Sequence, residues 1–144
     1  MGTEIHFYHN TPDRLAAACR IAARALSGGR RLAVRIPDEA QRRRFDQLLW
    51  THEPGSFVPH VAVDSPLAGE TPIVFGGGEA AWPHADVLLN LGDDLPADFA
   101  QFAMLLEVVG TDDASRQAAR TRWMHYKGCG LEPVPHDLGS KAPS

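Results

Sequence analysis

The sequence has little cysteine, no long apolar run and no excess of basic residues. Its two cysteines, Cys19 and Cys129, are far apart and form no CxxC pair, so neither a disulfide framework nor a zinc knuckle is predicted. No stretch approaches the length of about 18 apolar residues that a membrane span needs. The amino terminus has no basic region followed by an apolar run. We therefore expect a cytoplasmic protein without a membrane segment.

The charge of the chain argues against direct binding of nucleic acid. The formal net charge is −4 at pH 7, whereas charge-driven contact with phosphates needs an excess of Lys and Arg. Any contact with DNA is therefore expected to be indirect, through another protein. Arginines nevertheless concentrate in the first third of the chain, at Arg30, Arg31, Arg35, Arg42, Arg43 and Arg44. A local basic surface is compatible with the acidic total.

The sequence also lacks a recognisable motif for catalysis or metal binding. None of its seven histidines has HExxH or comparable ligand spacing, and no G-x-S-x-G elbow is present. The GGGEAA run at residues 76–81 loosely matches the phosphate-binding turn of dinucleotide-binding proteins. Pro83, however, leaves little room for the helix that such a turn needs. We expect no catalytic residue, no metal and no cofactor; a small nucleotide-binding enzyme that uses Gly76 to Gly78 stays open as an alternative.

What the sequence does contain is an alternation of short apolar runs and amphipathic segments. The runs at 5–9, 32–36, 73–75, 87–91 and 104–109 predict strands, and the segments at 12–27, between Pro37 and Pro54, and 112–127 predict helices. This order implies right-handed crossovers and a mainly parallel sheet. We predict a single-domain, Rossmann-like α/β three-layer sandwich over residues 1–131. An irregular carboxy-terminal tail is predicted over residues 132–144.

One face of the last predicted helix is basic and aromatic. Arg116, Arg120, Trp123 and Lys127 follow a spacing of i, i+4, i+7 and i+11, which places them in a stripe about 60° wide. Such a stripe suits an acidic peptide with an apolar end, because Arg pairs with carboxylates and Trp supplies apolar area beside it. A solvated helix face with Trp123 half-buried against a neighbour explains the same spacing. The spacing alone leaves both interpretations open.

Aromatic residues next to prolines form a second candidate surface. Leu49 and Trp50 precede the SFVPH run at residues 56–60, and Trp82 precedes Pro83 further along the chain. Contiguous exposed apolar patches often mark partner surfaces. The same residues could equally cover one end of the sheet.

Four segments together resemble the chi subunit family of bacterial DNA polymerase III. They are IHFY at residues 5–8, DQLLW at 46–50 with SFVPH at 56–60, residues 88–91, and residues 116–130. The combination of LW and SFVPH is fairly specific, and RTRWMHYK at 120–127 strengthens it. The resemblance spans nearly the whole chain. It implies a non-catalytic accessory subunit of the replisome, with a Rossmann-like fold that lacks nucleotide chemistry.

The resemblance implies that the chain binds single-stranded-DNA-binding protein (SSB) through the short acidic carboxy-terminal tail of that protein, which ends in Pro-Phe. By position, Arg120 is expected to clamp the terminal carboxylate and Arg116 to attract the preceding acidic residues. Trp123 and Val109 are expected to line the pocket for the Phe ring.

The resemblance also implies a second partner, the psi subunit of the clamp loader or a helicase-like competitor. The residues expected to form that surface are Trp50, Phe57, Val58 and Pro59. An interaction module unrelated to replication, which binds some other helix through residues 57–60, stays open as an alternative.

Overall fold

The computed structural model describes residues 2–51, 58–77 and 81–139. Its strands and helices, in chain order, are β1 (Glu4–Thr11), α1 (Arg14–Ser27), β2 (Leu32–Arg35), α2 (Glu39–Thr51), β3 (His60–Ala62), β4 (Ile73–Gly76), β5 (Val87–Asn90), β6 (Met104–Gly110), α3 (Asp113–Gly128) and β7 (Val134–Asp137). Single turns of 3-10 helix lie at Ala68–Glu70 and Phe99–Gln101. No helix within these residues has both the length and the apolar character needed to cross a membrane.

The strands form one seven-stranded sheet in the order β3-β4-β2-β5-β6-β1-β7, and every pair of neighbours is parallel. One apolar cluster packs α1 and α2 against one face of the sheet. A second cluster packs α3 against the other face. The prediction of a single-domain α/β three-layer sandwich with a parallel sheet is confirmed.

The central strands are buried on both faces. Every residue of β2 and of β5 is buried, because helices cover both sides of a parallel sheet. This burial is the reason that these segments appear in the sequence as continuous apolar runs rather than as alternating patterns. The middle of the sheet is therefore a rigid support for side chains at its edges and on α3.

The sheet has edge strands at β3 and β7. Strand β7 pairs with β1, with His6 opposite Val134 and His9 opposite Asp137, at a place where the sequence predicts an irregular tail. Pro135 cannot donate to a ladder, which weakens the strand pattern in sequence, yet an edge strand tolerates proline. The division of the chain into a domain and a tail at residue 131 stays a prediction.

The first turn of α3 depends on an aspartate cap. The Asp112 carboxylate accepts a hydrogen bond from the Ser115 amide at 3.0 Å, and the Ser115 hydroxyl accepts one from the Gly110 amide at 2.9 Å. These contacts join the end of β6 to the start of α3.

We expect Asp112→Ala to lower the free energy of unfolding by about 1 kcal/mol, because a first-turn amide loses its acceptor. Unfolding in urea measures the effect. Asp113→Ala is the matched control, since that carboxylate caps no amide in the described part of the chain and contributes only through the helix dipole. An equal loss in both variants would contradict the capping role of Asp112.

Candidate functional site

A groove of about 250 Å³ lies between α3 and the edge of the sheet. We name it the α3 groove. Its lining residues come from β1, β6, α3 and β7 and are Phe7, His9, Val109, Arg116, Ala119, Arg120, Trp123 and Pro135. The structure thus brings together all four residues that the resemblance assigns to tail binding, although they are up to 14 positions apart in the sequence.

Two periodicities build the groove. On α3 the inward positions are taken by buried residues, Arg122 and Tyr126, which leaves Arg116 and Arg120 exposed on the rim. On β1 the alternation of side chains places Phe7 and His9 on the same face. The floor of the groove is therefore strand β1, and its rim is one side of α3.

Trp123 occupies an intermediate position between core and surface. Its ring lies 5.1 Å from the ring of Phe7, with 59° between their planes, and the residue is partly exposed. A tilted aromatic contact of this kind holds the indole in place. The indole is thus fixed on one side and open to the groove on the other, so neither full burial nor free solvation describes it.

The groove is cationic. No Asp or Glu is among its lining residues. The Arg116 guanidinium donates to the Thr111 carbonyl at 3.3 Å, and Arg120 makes no ion pair or hydrogen bond with any residue in the described ranges. Two guanidiniums beside an apolar wall have the chemistry to bind a carboxylate and a ring together.

Some residues of the groove were not predicted as site residues. Phe7, His9 and Pro135 contribute from strands β1 and β7, and the alternation of β1 in sequence was the available signal for the first two. Lys127, which shares the helical stripe, is exposed and is not among the lining residues. It lies further along α3 than the groove extends.

The second predicted surface lies at the opposite edge of the sheet, where α2 meets β3. Trp50 is 57% exposed and Val58 is 4% exposed, whereas Pro59 is half-buried. Phe57 lies outside the described residues. Trp50 and Pro59 therefore reach the surface, while Val58 packs in the core beneath them.

His60 supports this second surface. Its ring lies 4.8 Å from the Trp50 ring, and its Nε2 is 2.9 Å from Asp46 Oδ1. Its Nδ1 is 2.6 Å from the Val58 carbonyl oxygen. These contacts tie the end of α2 to the start of β3 and hold the exposed indole against a buried imidazole.

A buried polar network lies beneath α3. The Glu107 carboxylate is fully buried and accepts hydrogen bonds from Tyr126 at 2.6 Å and from the Asn90 amide at 2.9 Å. Arg122 Nε lies 3.1 Å from Glu107 Oε1. Burial raises the pKa of Glu107, and the nearby Arg122 opposes that rise. The network fixes α3 on the sheet, and with it the rim of the α3 groove.

The crevice at the carboxyl ends of the strands, where doubly wound α/β proteins bind nucleotides, contains an ion pair. Arg35 is 3% exposed, and its guanidinium donates to both carboxylate oxygens of Asp94, at 3.0 and 2.8 Å. This hydrogen-bonded pair lowers the pKa of Asp94. The protein's own side chains thus occupy this position.

The glycine-rich loop at 76–81 lies partly outside the described residues. At its described start, the Arg42 guanidinium lies 3.0 Å from where a side chain on Gly77 would begin. No helix lies between residue 81 and the start of β5 at Val87. Within these residues the loop is not followed by the helix amino terminus that a phosphate-binding turn requires.

Comparison with known proteins identifies the family. The family model for the DNA polymerase III chi subunit, HolC, matches residues 2–134. The chain is 34% identical over 140 residues to DNA polymerase III subunit chi of Pseudomonas aeruginosa, covering 94% of this chain and 97% of that protein. It is 36% identical over 132 residues to subunit chi of Escherichia coli, covering 84% and 86%. The chain belongs to the DNA polymerase III chi subunit family.

Family membership makes the protein a non-catalytic accessory subunit of the replisome. The two alternatives, a nucleotide-binding enzyme and a module unrelated to replication, are thereby set aside. A chain in the solved structure of a Saccharomyces cerevisiae Dbp5 variant bound to a Gle1 variant and IP6 has a TM-score of 0.61 at 10% identity. That likeness covers 94% of this chain and 42% of the other, and it shows the fold alone.

Proposed function

We propose that the α3 groove binds the acidic carboxy-terminal tail of SSB, and that the chain links SSB to the clamp loader through a psi-type partner. The observation that carries the proposal is the convergence of Val109, Arg116, Arg120 and Trp123 in one groove. A tail that is acidic and ends in Phe needs a cation for its carboxylates and an apolar wall for its ring.

Each groove residue has a distinct role in the proposal. Arg120 binds the terminal carboxylate with its guanidinium fork, because it is exposed and its donors are unused within the described residues. Arg116, one turn earlier, attracts the acidic residues that precede the end of the tail. The Phe ring packs between Trp123 and the buried Val109, where Phe7 closes the floor.

The proposed mechanism is a tether in which no bond is made or broken. Binding orders a short tail, so part of the contact free energy offsets lost chain entropy. Ion pairs at an open groove are screened within about 8 to 10 Å at physiological salt. We therefore expect modest, salt-sensitive affinity, which suits a contact that must exchange as the replisome moves.

The clamp-loader side of the tether is proposed to be the surface at Trp50 and Pro59, with Phe57 as a further contributor. An indole that is 57% exposed supports a partner site, because aromatic residues are enriched at protein interfaces. A psi-type subunit or a helicase-like competitor would cover it. This surface and the α3 groove lie at opposite edges of the sheet, so both partners can bind at once.

The test is a calorimetric titration of the full chain with an SSB tail peptide, intact and without its last Phe. We expect removal of the Phe to weaken binding by about tenfold or more, since a buried Phe contributes about 1.5 to 3 kcal/mol. A scrambled peptide of the same composition is the matched control for charge. Equal affinity of all three peptides would mean generic attraction to arginines and would refute capture of the tail end.

A further inference from the structure

A second groove, of about 330 Å³, lies on the other face of the sheet beside α1. We name it the α1 groove. Its floor and walls are mostly apolar. Three arginines also line the groove, and no Asp or Glu is among its lining residues. The lining residues are Tyr8, Ala17, Arg20, Ile21, Arg24, Ala25, Arg30, Val87, Met104, Leu106 and Leu138. Neither the tail-binding site nor the Trp50 surface includes this groove.

The groove exists because this face of the sheet has two helices for seven strands. Helix α1 packs on β2 and β6, and α2 packs on β3, while His6, Tyr8 and His136 on β1 and β7 remain half-exposed. The rings of Tyr8 and His136 stack at 4.6 Å, with 15° between their planes. Two adjacent strands span about 10 Å, the diameter of one helix. Within the described residues, a strip of sheet one helix wide thus lies open beside α1.

The flank of α1 that faces the strip has the pattern of a helix-packing surface. Residues 17, 20, 21, 24 and 25 line the groove, which is the i, i+3, i+4, i+7, i+8 spacing of a face that contacts another element. Ala17 and Ala25 are small enough to allow a second helix to approach closely. Ile21 is half-buried and supplies apolar area between them.

Two arginines on this flank have no partner within the described residues. Arg20 and Arg24 are exposed, and neither makes an ion pair or donates a hydrogen bond there. Arg30 differs, because its guanidinium is already paired with Asp86 at 2.6 Å. Arg20 and Arg24 therefore present two positive charges, one helical turn apart, without a counter-ion among the described residues. Two carboxylates at i and i+4 on a facing helix would match them.

None of the three described α-helices of the chain supplies this complement. Helix α1 carries Arg and no Asp or Glu, and in α2 and α3 the Arg and Lys residues outnumber the acidic ones. A second copy would therefore bring arginines to arginines. We propose that the α1 groove is a docking surface for an acidic amphipathic helix of a partner protein. Its apolar side would lie on Tyr8 and Leu106, with carboxylates facing Arg20 and Arg24.

The probe for this proposal is a fluorescein-labelled synthetic helix of about 18 residues, a length at which an isolated helix is populated. It carries a leucine stripe and glutamates at i and i+4 beside that stripe. Fluorescence polarisation with the full chain measures its affinity. We expect the double variant R20E/R24E to weaken binding by about tenfold or more, because two attractive pairs become repulsive.

Three further variants localise the effect. R43E/R44E makes the same charge change at exposed positions of α2 and is expected to leave the affinity unchanged. R120A, in the α3 groove, is expected to leave it unchanged as well. Ala25→Trp fills the α1 groove without changing charge and is expected to weaken binding, with circular dichroism confirming that the variant is folded.

Amide chemical-shift changes on addition of the probe should centre on Tyr8, Ile21 and Met104. Changes centred on Trp123, an equal loss in R43E/R44E, or no binding by the wild-type chain would overturn the proposal. Saturable binding of dodecyl phosphate, without binding of the helix, would also overturn it in favour of a small amphiphilic anion.

Discussion

Replacing Arg122 with alanine is expected to lower the free energy of unfolding by about 3 to 5 kcal/mol, because it leaves a buried carboxylate without its counter-ion. Arg122 and Glu107 have side chains that are 2% and 0% exposed, and they lie 3.1 Å apart. In the variant, the hydrogen-bond donors left to the carboxylate within the described residues would be Asn90 and Tyr126. Two neutral hydrogen-bond donors do not replace a guanidinium at a buried site.

The loss of unfolding free energy in Arg122→Ala should also depend on pH. Burial already raises the pKa of Glu107 with Arg122 present, and removal of the guanidinium raises it further. A carboxyl whose pKa is higher in the folded chain is stabilising below its unfolded pKa of about 4.3, and this contribution is lost as pH rises through the folded value. We therefore expect the deficit of Arg122→Ala to be greater at about pH 8 than at about pH 5.

Urea unfolding at both pH values measures these effects. Arg116→Ala is the matched control, because that side chain is exposed on the same helix, and its effect should stay within about 0.5 kcal/mol. A double variant with Arg122→Met and Glu107→Leu should recover part of the loss, since an apolar replacement of a buried ion pair is often neutral but here takes an acceptor from Tyr126 and Asn90. A deficit below about 1 kcal/mol in Arg122→Ala would contradict the role assigned to this ion pair.

Replacing Arg120 with alanine is expected to weaken binding of the intact SSB tail peptide by about 10- to 150-fold, the equivalent of about 1.5 to 3 kcal/mol. The reason is the loss of charge-assisted hydrogen bonds to the terminal carboxylate. Arg120→Lys should fall between the wild type and the alanine variant, because an ammonium keeps the charge but not the planar fork.

Calorimetry at two salt concentrations measures this effect. The loss of affinity in Arg120→Ala should be smaller at high salt than at low salt, because high salt also screens the ion pair of the wild-type chain. Arg44→Ala, which removes an exposed arginine from α2, should leave the affinity unchanged. Unchanged affinity in Arg120→Ala, with correctly folded protein, would remove the carboxylate clamp from the proposal.

Parts of the site could be predicted because they lie on one element. Arg116, Arg120 and Trp123 share a face of α3 by helical periodicity alone, and the structure places them together. Val109 was assigned by resemblance, since nothing in an apolar run shows which residue faces a groove. Pro135 could not be assigned, because its place depends on β7 pairing with β1.

Arg122 shows the limit of sequence patterns most clearly. Its position between Arg120 and Trp123 indicates one more basic residue on an exposed helix face, yet its side chain is only 2% exposed. Its partner Glu107 lies within an apolar run on β6, 15 residues earlier. Neither residue gives a local signal of the pair, because the ion pair forms only when α3 packs on the sheet.

The sequence by itself determined the helices, the five inner strands, the parallel α/β class and the family, because each depends on local periodicity or on residues in a recognisable order. Only the tertiary structure decided the order of the strands, and with it the floor of both grooves, the burial of Glu107 with Arg122, and the open strip beside α1. Strand order depends on packing between segments distant in the chain. Local backbone preference and periodicity do not encode that packing.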